Sequence, residues 1–68
     1  MTVGERIKEV RLRNDLSLRD FGKIIGEADT TVMRWEHGTA KVSFDTIIAI
    51  SKRFGYSPNW FAGMEADA

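Results

Sequence analysis

Apolar residues recur along this chain at steps of three and four, and small polar residues stand ahead of most such runs. Thr2 with Glu5 makes a capping-box pattern before Val3, Ile7 and Val10, with Glu5, Arg6, Lys8 and Glu9 expected to face away. Asn14 and Asp15 break the period, so a first helix should end near Arg13. Ser17 caps a second run of Leu18, Phe21, Ile24 and Ile25, which Gly26 stops in the manner of a glycine just past a helix. A third helix is expected over Thr30 to Glu36, ending before Gly38. The loop GTAKVS closes on Ser43 as a cap, and Phe44, Ile47, Ile48, Ile50 and Phe54 form a strongly apolar fourth helix ended by Gly55. Ser57-Pro58 sets a cap before a first-turn proline, opening a short fifth helix through Trp60, Phe61 and Met64. No segment alternates with the two-residue period of a strand. The expected fold is all-α, a compact bundle of five short helices over residues 1–63 with a polar tail at 64–68.

The third helix carries the chemistry. At about 100° per residue, Ala28, Val32 and Trp35 share one narrow stripe, while Asp29, Thr30, Met33, Arg34 and His37 spread over the opposite side. Any surface helix has a core stripe, so this alone implies nothing. Its neighbourhood implies more. The second helix offers Phe21, a small Gly22 that permits close crossing, and Gly26, which lets the chain reverse within a few residues. That is helix-turn-helix geometry, in which the second helix of the pair projects into a DNA major groove.

Composition narrows the classes. Sixty-eight residues allow one small domain. With no cysteine there is no disulfide framework or thiolate metal site, and His37 cannot build a zinc site alone. No metal or cofactor is expected. No apolar run approaches membrane-spanning length and the N-terminus lacks a signal-peptide stretch, so no membrane role and a cytoplasmic location are expected. No nucleophile–base spacing or glycine-rich phosphate loop suggests an enzyme. The formal net charge of zero excludes a generic polyanion binder. Its distribution is uneven: residues 27–38 set Arg34 against Glu27, Asp29 and Glu36, while residues 1–26 and 39–55 are each in positive excess.

The stretches GERIKEVRLRNDLSLRDFGKIIG, TVMRWEHG and SFDTIIAISKRFGYSPNWFAG together resemble the Cro/C1-type helix-turn-helix domains of phage repressors and bacterial regulators. The resemblance runs from about Ile7 to Gly63. It implies a lambda-repressor-like five-helix domain acting as a transcriptional regulator, a repressor by preference. Such domains bind operator DNA, commonly as homodimers on two-fold-related sites. It places base reading at Asp29, Thr30, Met33 and Arg34. Phosphate contacts fall to Arg11, Ser17, the Leu18 backbone, Arg19, Thr39 and Lys41. Arg11 and Glu36 match positions that commonly pair between helices one and three. A dimer contact is expected at Trp60, Phe61 and Met64, which crowd a short terminal helix.

Four positions depart from the pattern. Leu18 stands where a phosphate-binding glutamine is common, Glu27 where the turn normally buries an apolar residue, and Val42 where proline is frequent. Ala28 replaces the usual Ser or Thr cap, so Asp29 either caps the third helix one residue later or reads a base. These departures leave a second reading open. In it the domain docks a protein partner, or works as an antitoxin-type regulator, with weak or lost DNA binding.

Overall fold

The structure, a computed structural model, describes residues 1–64; the expected tail therefore lies outside the described residues except for Met64. Five helices follow in chain order: α1 (Val3–Arg13), α2 (Leu18–Ile25), α3 (Asp29–His37), α4 (Phe44–Phe54) and α5 (Pro58–Phe61). Their starts follow from the polar residues ahead of them. Thr2 Oγ1 accepts from Glu5 N–H while Glu5 returns a carboxylate oxygen to Thr2 N–H at 2.8 Å, closing the capping box. Ser17, Ser43 and Ser57 each accept a first-turn N–H of α2, α4 and α5. The stops are equally local. Gly26, Gly38 and Gly55 end α2, α3 and α4 at φ of 77°, 79° and 78°, a conformation that costs any residue with a Cβ.

The core is a single cluster of Ile7, Val10, Phe21, Val32, Trp35, Ile50, Trp60 and Phe61. Every helix contributes to it, so none of the five could persist alone at these lengths. Phe21 of α2 stacks on Phe54 of α4 with ring centroids 5.3 Å apart. Tyr56, Trp60 and Phe61 form a second aromatic group that closes the bundle from the C-terminal side.

The structure departs from the sequence expectations at several points. Arg6, expected to face away, is buried with its guanidinium 4.9 Å above the Trp60 ring. A cation–π contact and the long aliphatic stem make this position compatible with a core wall. Phe44, expected inside α4, is 72% exposed, because it is the first residue after the cap and α4 turns inward only from Ile47 onward. α5 stops at Phe61, short of Met64, after one turn capped by Ala62. Trp60 and Phe61 were expected at a dimer contact; both are instead buried in the chain's own core, which needs them because so short a domain has few other large side chains. Met64 is exposed.

Candidate nucleic-acid interface

α3 lies across α1 and α2, held by Val32 and Trp35, which are both buried. Two glycines permit the approach. At Gly4 in α1 a Cβ would overlap the Trp35 carbonyl oxygen, and at Gly22 in α2 it would overlap the Glu27 carbonyl oxygen in the turn. Gly22 was read from the sequence as the close-crossing position. Gly4 carries no such signal in the sequence, because a glycine is readily tolerated so near a helix start and its contact lies in another helix.

An ion pair fixes the orientation of α3. Arg11 donates from Nε to Glu36 Oε2 at 2.8 Å and from Nη2 to Oε1 at 2.9 Å, a fork-to-fork pair between α1 and α3. Nη1 also donates to the Leu16 carbonyl at 3.0 Å, tying the same guanidinium to the loop before α2. The hydrogen bonds to Glu36 hold the Arg11 pKa above its ordinary value. The two side chains are only 12% and 4% exposed. What Arg11 keeps for a phosphate is therefore its two uncommitted N–H bonds; its larger work is positional.

The opposite side of α3 is open. Asp29, Thr30, Met33 and Arg34 are all exposed, on the side away from Val32 and Trp35. α3 begins at Asp29, one residue before the expected start, and runs to His37. Ala28 occupies the cap position and offers no side-chain hydrogen bond. Asp29 takes part of that duty from inside the first turn, its Oδ1 accepting from Thr30 N–H at 2.7 Å. Neither of the two expected alternatives describes this geometry fully. Asp29 does not delay the helix, yet one carboxylate oxygen is spent on the backbone. Glu27 in the turn is exposed, so the departure from an apolar residue there costs no buried charge.

The flanking candidates sit on neighbouring elements. Ser17 Oγ accepts from Asp20 N–H at 3.0 Å, so its hydroxyl serves its own helix. The N–H groups of Leu18 and Arg19 in the first turn of α2 point outward from the helix start, where an anion is favoured. Leu18 packs its side chain against the core, while Arg19 is exposed. Beyond α3, Thr39 Oγ1 donates to the Arg34 carbonyl at 3.3 Å, and Lys41 is exposed beside it in the loop. The structure thus brings Arg11 to Glu36 and Thr39 to the end of α3. It separates Trp60 and Phe61 from this face by burying them with α4 and α5. Arg19, Arg34 and Lys41 are exposed cations and Glu27 and Asp29 exposed acids, while Glu36 is paired with Arg11.

A helix-turn-helix family matches residues 7–61 of this chain. The chain belongs to that family. The antitoxin PezA of Streptococcus pneumoniae serotype 4 is 34% identical over 55 residues, covering 81% of this chain and 35% of that protein. The chain thus spans about a third of the length of the curated relative it matches. The P22 c2 repressor in complex with synthetic operator 9T superposes at a TM-score of 0.84 with 23% identity, over 96% of this chain and 98% of that one. The solution structure of the P22 c2 DNA-binding domain gives a TM-score of 0.81 at 24% identity, over 91% of this chain and 82% of that one. These likenesses establish the helix-turn-helix repressor fold for the described residues. No helix among them is long and apolar enough to cross a membrane.

Proposed function

We propose that this domain, residues 1–63, is a cytoplasmic, sequence-specific operator-binding regulator of repressor type, with α3 in the major groove and two copies on a two-fold-related site. The observation that carries the reading is the division of α3: one side locked by Val32, Trp35 and the Arg11–Glu36 pair, the other exposing short and forked polar groups. The repressor fold of an operator complex supports it. Arg34 forks onto guanine O6 and N7, Thr30 offers its methyl or hydroxyl to a base edge, and Met33 makes apolar contact. Asp29 accepts from a cytosine N4 with its uncommitted oxygen. The N–H groups of Leu18 and Arg19, with the Arg19 and Lys41 side chains, hold phosphate on either side. Ser17 and Thr39 shape those anchors through their own backbone bonds. The function is binding rather than catalysis.

With Arg19 and Lys41 neutralising about two phosphates per domain, log K falls with log salt at a slope of about −2 for one copy. Selection from random duplexes at low salt tests the proposal. A two-fold-related consensus is the expected result, and recovery of no preferred sequence refutes it.

The likeness to an antitoxin and the exposed acids Glu27 and Asp29 favour one second reading, a domain that docks a basic protein partner. The same selection separates the two, because a docking module leaves the duplex pool unenriched.

A further inference from the structure

The outer side of α1 has features that the reading of DNA does not use. Glu5, Lys8 and Leu12 recur at steps of three and four and form a stripe opposite buried Ile7 and Val10. They line one open groove of about 480 Å³ with Met1, Glu9 and Arg13, the last two paired with each other along α1 at 3.0 Å. Leu12 and Met1 are 54% and 67% exposed, and the core closes without either. Glu5 spends Oε1 on the Thr2 N–H, which leaves its second oxygen for a partner outside the helix. Lys8 is exposed and makes no ion pair among the described residues.

We propose that this face takes a second copy of the same chain, with the two α1 helices antiparallel about a two-fold axis. Such an axis, passing between positions 6 and 7, sets each position against the one that sums with it to thirteen. Glu5 of one copy then meets Lys8 of the other, twice by symmetry, and Leu12 comes over the N-terminal end of the partner helix, which Met1 precedes. Both charge pairs are opposite in sign. A parallel pairing would set Glu5 on Glu5 and Lys8 on Lys8, so the charge order selects the antiparallel partner. One helix face buries less than the roughly 1,200 Å² of a stable complex, so the contact is weak and fills when domains are held close together. It is independent of what α3 binds.

Sedimentation equilibrium of the full chain at low salt without DNA, up to about millimolar, tests it. Its failure therefore leaves the operator reading untouched. Wild type self-associates reversibly, and Leu12→Lys removes the association while melting as wild type does. Glu5→Lys and Lys8→Glu each weaken it by about tenfold, since each sets like charges opposite in both pairs. A one-to-one mixture of these two variants restores association to at least the wild-type level, because both pairs become opposite in sign again. Lys8→Glu leaves the capping box intact, so its loss is not a folding effect. A wild type that stays monomeric throughout, a Leu12→Lys variant that associates unchanged, or a mixture no stronger than its components overturns the proposal.

Discussion

The two sides of α3 differ in what they can tolerate. Its inner side is fastened three ways: Val32 and Trp35 fill the core, the Trp35 carbonyl rests against Gly4, and Glu36 is forked by Arg11. On its outer side the side chains of Thr30, Met33 and Arg34 are exposed, and Asp29 accepts from the Thr30 N–H. One side holds the geometry; the other is free to vary in chemistry at little structural cost. A reading helix needs both, because a base contact is selective only when the backbone behind it cannot shift.

The largest test of the inner side is Gly4→Ala. On an exposed helix this change stabilises by about 1 kcal/mol. Here the methyl meets the Trp35 carbonyl, so a loss of about 2–3 kcal/mol is expected in urea unfolding. The opposite sign of the two expectations makes the result decisive.

Glu36→Ala comes next. It leaves Arg11 in an enclosed site without its partner, and about 2–3 kcal/mol of stability should go, below the range for a fully buried pair because Arg11 retains the Leu16 carbonyl and some water. Duplex binding should fall as well. A variant that keeps full stability and loses only DNA binding would show that the pair does not hold α3 in place.

On the outer side, Asp29→Asn keeps an acceptor for the Thr30 N–H and removes a negative charge from the first turn of α3. Stability should change by less than about 0.5 kcal/mol, partly through the helix dipole. Binding to non-specific duplex at low salt should strengthen, and discrimination at one base pair should weaken. Equal binding of both forms to every duplex would remove Asp29 from the interface.

The smallest effect lies on α1. The Thr2 backbone bond holds the Glu5 carboxyl below its ordinary pKa. A group depressed in the folded state stabilises above its unfolded pKa, and the contribution disappears as pH falls through the depressed value. Melting temperature should therefore decline over the acid range slightly more steeply for wild type than for Glu5→Gln, with the two converging at the lowest pH. A constant offset between the two would detach the cap from the carboxylate charge.

The sequence disclosed the punctuation of the fold better than its inward and outward directions. Thr2, Ser17, Ser43 and Ser57-Pro58 mark real helix starts and Gly26, Gly38 and Gly55 real stops, because caps are local chemistry. Arg6 and Phe44 went the other way. Whether a long cationic stem lies under Trp60, or an aromatic at a helix start points to water, depends on where α5 and α4 fall in space. The same holds for Trp60 and Phe61, whose apolar bulk is equally compatible with a core and with an interface. At the candidate site the outward positions of Thr30, Met33 and Arg34 followed from helical period alone. The enclosure of Arg11, with three of its N–H bonds committed, did not, because the Leu16 carbonyl has no sequence signature.

The central claim is that the free side of α3 reads bases while its fixed side only holds it there. Selection from random duplexes with wild type and Arg34→Ala in parallel tests this most directly. The account predicts equal thermal stability, a shared consensus, and loss of preference at one base pair per half-site, worth about 1–3 kcal/mol there. An unaltered consensus from Arg34→Ala, with affinity unchanged, would contradict it.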